Sequence, residues 1–269
     1  MVKVIIGCLL VIGITACSTS GTMLDTMALP KLYAKAHDAL KHGDYLAAEK
    51  AYQRLITRFP SGRYSEQARL DLAYAQYRNH EPDDAYSTIN HFIKTFPAHK
   101  HVDYAYYLRG LINFNRTNGV LERWFDSSDA QARHDQAYNL KSFDDFSKLS
   151  RRFPHSAYAA DAHQRMIYLR SELAQFEINV ARFYLRQRAY IASANRAKYV
   201  IEHYKRSPQI NDALAILCRS YLMLGQKKLA SQVRQTLLLN DPHHPYLTDP
   251  KWPHASSILG NLIPFHVRH

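Results

Sequence analysis

Chemistry in this chain would have to come from three cysteines, fifteen histidines and a few neighbouring acids. His99 and His101 flank Lys100, and His243 adjoins His244. Neither pair has the helical spacing to an acid or a second cysteine that closes a metal site, so solvated loop histidines are the simpler reading. Asp144 and Asp145 are adjacent on a helical stretch, so their carboxylates diverge and cannot share acid/base work. No glycine-rich phosphate loop and no G-x-S-x-G elbow occurs. The expectation is therefore no enzyme, no catalytic residue, no metal and no cofactor.

One thiol has a clear chemical prospect. Met1-Val2-Lys3, an apolar run from Val4 to Ile14, and Thr15-Ala16-Cys17 have the layout of a secretory signal. The run is shorter than the roughly 20 residues a spanning helix needs. Ile14-Thr15-Ala16-Cys17 resembles a bacterial lipobox, in which the cysteine takes a diacylglycerol and becomes the first mature residue. Cys17 is the expected lipidation site. An ordinary cleaved signal and an uncleaved anchor are the alternatives. Ser18, where inner-membrane retention usually has Asp, favours an outer-membrane anchor with the body in the periplasm. With Cys8 removed and Cys17 acylated, only Cys218 remains, and no intramolecular disulfide can form. The net charge of +12 often marks nucleic-acid binding. An exported chain makes anionic lipid, cell-wall polymer or an acidic protein face better partners, so no nucleic acid is expected.

The elements that position these residues are helices. Phe59-Pro60, Phe96-Pro97, Phe153-Pro154, Pro208 and Asp241-Pro242 each close a segment, because proline lacks an N–H and restricts the residue before it. The step from Pro60 to Pro97 is 37 residues and from Pro208 to Pro242 it is 34, the range of tetratricopeptide-type helix pairs. The first pair runs from about 30 to 41 and 45 to 58, with Gly43 in the turn. Small residues recur where paired helices approach: Ala36 with Ala48, Ala73 with Ala85, Gly110 with Ser142, and Cys218, read as core, with Ala230. Bulky residues follow at Tyr52 and Leu55, Ile89 and Phe92, and Phe146 and Leu149. The third pair is interrupted by an insertion at 115–135, long enough to carry a function. The fourth has a first helix from Tyr158 to about Gln187, then Arg188 where glycine is expected, at a cost of about 1 kcal/mol if φ is positive. The expected fold is all-α: five tetratricopeptide-like hairpins stacked as a right-handed superhelical solenoid with a concave groove. Its parts are a signal at 1–16, a lipidated linker at 17–28, repeats one to three at 29–154, repeats four and five at 155–242, and a proline-rich tail at 243–269. The tail is expected to lack regular structure, save a short helix near 256–262.

In such an array the first helix of each pair lines the groove, at spacing 3, 4, 3. Those positions are Pro30, Tyr33, His37 and Leu40; Gln67, Leu70, Tyr74 and Tyr77; and Tyr104, Tyr107, Leu111 and Phe114. Tyr33, Tyr74, Tyr77, Tyr104, Tyr107 and Phe114 are thereby candidates for gripping a polypeptide. The alternative is that they fill the space between helices. Arg182 and Arg186, one turn apart, with Arg196 and Arg219, mark an expected basic side on the last two repeats, or simply a solvated one.

The stretch from Phe143 to Tyr204 is distinctive. It holds Phe143-Asp144-Asp145-Phe146-Ser147-Lys148-Leu149, Arg152-Phe153-Pro154-His155-Ser156, Tyr158-Ala159-Ala160-Asp161-Ala162, Ala189-Tyr190 and Asn195-Arg196-Ala197. With the lipobox, it resembles the BamD (ComL-type) family of lipoproteins of the bacterial β-barrel assembly machinery, over roughly 29–242. Gln187-Arg188 departs from the family's usual Arg-Gly. The resemblance implies a lipid-anchored scaffold at the inner leaflet of the outer membrane. It implies docking to BamA POTRA domains, for which Arg182, Arg186, Arg196 and Arg219 are the candidates, and to BamC and other lipoproteins of the complex. It further implies reception of unfolded outer-membrane proteins through a segment ending in an aromatic residue. From the residues alone, a secretin pilotin, a Tol-linked division factor and a cell-wall-binding lipoprotein tied to DNA uptake remain alternatives.

Overall fold

Every regular element among the described residues is helical. The computed structural model describes residues 24–117, 129–249 and 252, with backbone only at 117 and 129–135. Ten helices of thirteen residues or more follow one another: α1 Leu29–Lys41, α2 Tyr45–Arg58, α3 Arg63–Arg78, α4 Pro82–Thr95, α5 Val102–Thr117, α6 Asp129–Arg152, α7 Ala159–Arg186, α8 Tyr190–His203, α9 Ile210–Met223 and α10 Lys227–Asn240. A four-residue α11, Pro245–Thr248, closes the series. In the first unit α1 packs on α2, α2 on α3, α3 on α4 and α1 on α3; in the second α6 packs on α7, α7 on α8, α8 on α9, α9 on α10 and α7 on α9, as stacked hairpins require. The chain forms two compact units, dividing after Ile112 within α5.

The turns inside the hairpins share one geometry. The residues Gly43, His80, Arg188 and Gly225 are the middle residues of three-residue turns and have φ of 79°, 61°, 61° and 73°. Each turn is closed by a bond from the following N–H to a carbonyl five residues back: Asp44 to Ala39, Glu81 to Gln76, Ala189 to Tyr184 and Gln226 to Tyr221. This is the left-handed helix stop that glycine occupies without a Cβ penalty. Arg188 adopts the positive φ expected of its position, and His80 does so without a sequence signal.

The recurring small residues have the expected burial. Ala36, Ala48, Ala73, Ala85 and Ser142 are fully buried, as are the bulky Tyr52, Leu55, Ile89, Phe92, Phe146 and Leu149. In the second unit, small side chains also bond across helices. Ser193 Oγ donates to the Ala181 carbonyl at 2.9 Å, Ser220 Oγ to Ser193 Oγ at 3.2 Å, and Cys218 Sγ to the Ala230 carbonyl at 3.3 Å. Cys218 is buried, and burial pushes its thiol up, as befits a core position. In the first unit, buried Glu49 accepts from Gln53 (2.9 Å) and Gln76 (3.1 Å), whose own carbonyl accepts from Thr88 at 2.8 Å.

Two expectations need correction. The second helix of the third pair begins at Asp129 rather than near 136, so much of the expected insertion is helical; its residues 118–128 lie outside the description. The tail is structured through its first part. Tyr246, Leu247 and Trp252 join the second unit's core beside Leu214, Leu217 and Leu237. Burying a tryptophan and a tyrosine on an otherwise open last hairpin outweighs the ordering of a few proline-restricted residues. The stretch 256–262 lies outside the described residues, as does Cys17.

Candidate functional site

The first unit carries an open cavity of about 640 Å³ lined by Tyr33, Arg63, Tyr64, Glu66, Gln67, Ala98, His99 and Lys100. Its wall is built from the groove-side helices. Tyr33 reaches from α1 and donates its hydroxyl to Asp71 Oδ2 on α3 at 2.9 Å; Gln67 donates to Asp71 Oδ1 at 2.9 Å. The Tyr33 ring meets Tyr64 edge-on at 5.2 Å and Tyr52 at 6.0 Å, and stacks on His37 at 5.9 Å. Burial pushes the Asp71 carboxyl above its ordinary range, against the lowering effect of its hydrogen bonds from Gln67 and Tyr33. Burial, with the Asp71 charge beside it, also pushes the Tyr33 phenol well up, so it remains a donor at any ordinary pH. His99 packs edge-on against Phe92 at 5.1 Å and accepts the His101 N–H on Nδ1 at 3.2 Å. Burial, then the neighbouring His101, lower its pKa, so the ring is neutral near pH 7. Arg63 and Lys100 thus supply the cavity's positive charge, and Glu66 the opposing one.

Next along α3, Tyr74 and Tyr77 lie 6.5 Å apart. Arg78 donates to the Tyr74 hydroxyl at 2.8 Å and lies over the Tyr45 ring at 4.8 Å. Tyr33, Tyr74, Tyr77, Tyr104 and Tyr107 are each half-buried, neither sealed in the core nor free. Phe114 belongs to the second unit. It packs on Tyr168 at 5.7 Å and Phe146 at 6.5 Å, under the Arg165 guanidinium at 4.8 Å. On α3 one position of the expected groove row departs: Leu70 is buried, and Asp71 stands beside Gln67. Tyr64 carries no sequence flag, although extending the α3 row back by one step would have reached it.

The four arginines are not one exposed side. Arg182 is ion-paired to Asp212 at 2.9 Å and lies 5.9 Å over the Trp252 ring. Asp212 is also approached by His244 at 3.4 Å, and His244 and Tyr246 meet Trp252 edge-on. The returning tail thus half-covers Arg182, which the sequence pattern expected to be exposed. Arg196 pairs with Glu177 at 3.0 Å and keeps an exposed side chain. Arg219 is half-buried and Arg186 is exposed. Among the described residues no three His, Cys, Asp or Glu side chains converge as a metal site, and no helix is long and apolar enough to cross a membrane.

Curated relatives match nearly the whole chain. An outer membrane protein assembly factor named BamD, from Xylella fastidiosa, is 42% identical over 254 residues, covering 94% of this chain and 86% of that protein. Its namesake from Neisseria meningitidis serogroup A is 39% identical, covering 92% and 94%. A solved TPR2AB domain of yeast Sti1 aligns over 84% of this chain and 80% of its own at 14% identity, with a TM-score of 0.41 that is too low to bear on shape or function. Residues 25–237 match the family model YfiO, described as outer membrane lipoprotein, so the chain belongs to that family of outer membrane lipoproteins.

Proposed function

We propose that this chain is a lipid-anchored scaffold of the outer-membrane β-barrel assembly machinery, tethered through Cys17 with its body in the periplasm. In this role it docks BamA through its POTRA domains, contacts BamC and other lipoproteins of the complex, and receives unfolded outer-membrane proteins. The observation that carries the reading is the match across nine-tenths of the chain to proteins named as assembly factors. The first unit adds a chemical rationale for reception. Aromatic rings bury large area at low entropic cost, and tyrosine keeps a polar tip for a peptide backbone. Tyr33 and Tyr64 can flank an aromatic side chain at a polypeptide's end, while Arg63 and Lys100 can hold its terminal carboxylate.

Recognition and handover need no catalytic step or cofactor. The BamA contact is assigned to exposed Arg196 and half-buried Arg219, with exposed Arg186 at its border; Arg182 supports them from beneath the tail. Affinity purification from detergent-solubilised envelopes tests the reading. The expected result is recovery of a barrel protein bearing POTRA domains, lost or weakened in Arg196→Glu. Recovery of a secretin or a cell-division protein instead would contradict it.

A further inference from the structure

The hairpin-turn end of the second unit is both greasy and cationic. The bonds from Ser193 to Ala181, from Ser220 to Ser193 and from Cys218 to Ala230 tie the C-terminal ends of α7 and α9 to the N-terminal ends of α8 and α10. Residues flanking those ties therefore share one edge. Four are large aliphatic side chains left in solvent: Ile191 at 66% exposure, Met223 at 53%, Leu222 at 48% and Leu229 at 41%. Beside them Arg186 and Arg188 leave α7, and Lys227 and Lys228 open α10; all four are exposed. None of these four is in an ion pair among the described residues. The segments 178–201 and 213–240, which build this edge, contain no Asp or Glu.

We infer that this edge rests on an anionic phospholipid surface. An acidic protein face would satisfy the charge but not the rest of the composition. Protein interfaces are depleted in lysine and favour aromatic anchors, whereas here two adjacent lysines border aliphatic tips. That pairing suits a headgroup layer, where apolar tips enter the acyl boundary and long cationic side chains snorkel to phosphates. Each Lys or Arg near an anionic membrane contributes about 1 kcal/mol, a factor of about five. The diacylglyceryl group expected on Cys17 carries two acyl chains but anchors only the start of the mature chain, and a basic edge with apolar tips is a separate attachment for the folded part. The edge supplies that attachment to the body of the protein, whatever else the body binds.

The test uses the full mature chain with Cys17→Ser, so that no acyl chain contributes, and sedimentation with vesicles of phosphatidylethanolamine with or without phosphatidylglycerol. Partitioning is expected only with phosphatidylglycerol. The double variant K227Q/K228Q should weaken it by roughly twenty- to thirty-fold. The double variant I191N/M223N should weaken it by about tenfold and abolish the part that survives high salt. A charge-matched control, K50Q/K94Q on the exposed surface of the first unit, should change it little; circular dichroism confirms that each variant folds. Equal binding to neutral vesicles would overturn the proposal. So would edge variants that bind like the parent, or a control that loses as much as K227Q/K228Q. Absence of vesicle binding, with K227Q/K228Q losing an acidic protein instead, would reassign the edge to that partner and equally overturn it.

Discussion

The two units build the same hairpin turn and dress it with opposite charge. In the first unit the turn regions carry Asp38, Asp44, Glu81, Asp83 and Asp84, which outnumber Lys41 and Arg78, beside Gly43 and His80. In the second they carry Arg186, Lys227 and Lys228 beside Arg188 and Gly225, and the segments 178–201 and 213–240 that hold these turns contain no acid. Backbone geometry is thus held constant while surface chemistry is free to diverge, because the four middle residues and most of their neighbours in the turns are exposed. The units also differ in what happens to their aromatic residues. The first leaves Tyr33 and Tyr64 around an open cavity, whereas the second uses Trp252 and Tyr246 from its own tail to close its last hairpin.

The largest expected effect tests that last difference. Trp252→Ala should destabilise the chain by about 3 kcal/mol in denaturant titration, since a buried tryptophan leaves a cavity. Tyr64→Ala, an exposed ring in the first unit, should change stability by about 0.5 kcal/mol or less. Similar costs for both would erase the contrast between a closed and an open unit.

The turns offer a finer comparison, because each unit has one glycine and one side-chain-bearing residue at the same positive φ. Gly225→Ala has free space around the added Cβ, so its cost should be purely conformational, about 1 kcal/mol. Arg188→Gly should gain about 0.5 to 1 kcal/mol, and His80→Gly in the first unit a similar amount. Thermal midpoints of the three variants read this directly, and an Arg188→Gly variant no more stable than its parent would mean that another contact holds the turn.

A smaller effect concerns pH. Asp71 has its carboxyl raised by burial, so its protonated form favours the folded state. Its contribution is full below the ordinary carboxylate range and is lost as pH rises through the raised value. Asp71→Asn should therefore flatten the pH dependence of stability over that window, with little change at the acidic end. A slope identical to the parent would show that Asp71 is not the titrating group. His99 has the opposite sign: its pKa is lowered, so the stability it lends is present at neutral pH and falls as acid protonates it.

The fold was largely readable from the sequence because hairpin repeats write their register locally. Proline stops, small pairs such as Ala36 with Ala48, and Gly43 in the turn are short-range signals, and the observed α1 and α2 bounds fall within a residue of those expected. The docking of 243–252 was not readable, since proline-rich composition argues for irregular chain and only the exposed end of α9 and α10 makes Trp252 worth burying. For the same reason Arg182 looked exposed in the sequence but is half-covered in the structure. The candidate site was legible as a stripe of tyrosines, but not as a cavity. Periodicity placed Tyr33 on the side of α1 that borders this cavity; it could not bring His99 and Lys100 from the α4–α5 connection alongside Tyr64.

The most direct measurement of the account is the affinity of the whole chain for a short peptide ending in an aromatic residue with a free carboxylate, read by fluorescence anisotropy. Tyr64→Ala and Lys100→Gln should each weaken it by about tenfold, as should amidation of the peptide's end, while Arg188→Gln in the second unit leaves it unchanged. Equal affinity for the free and amidated peptides, or binding indifferent to both Tyr64 and Lys100, would contradict the assignment of substrate reception to the first unit.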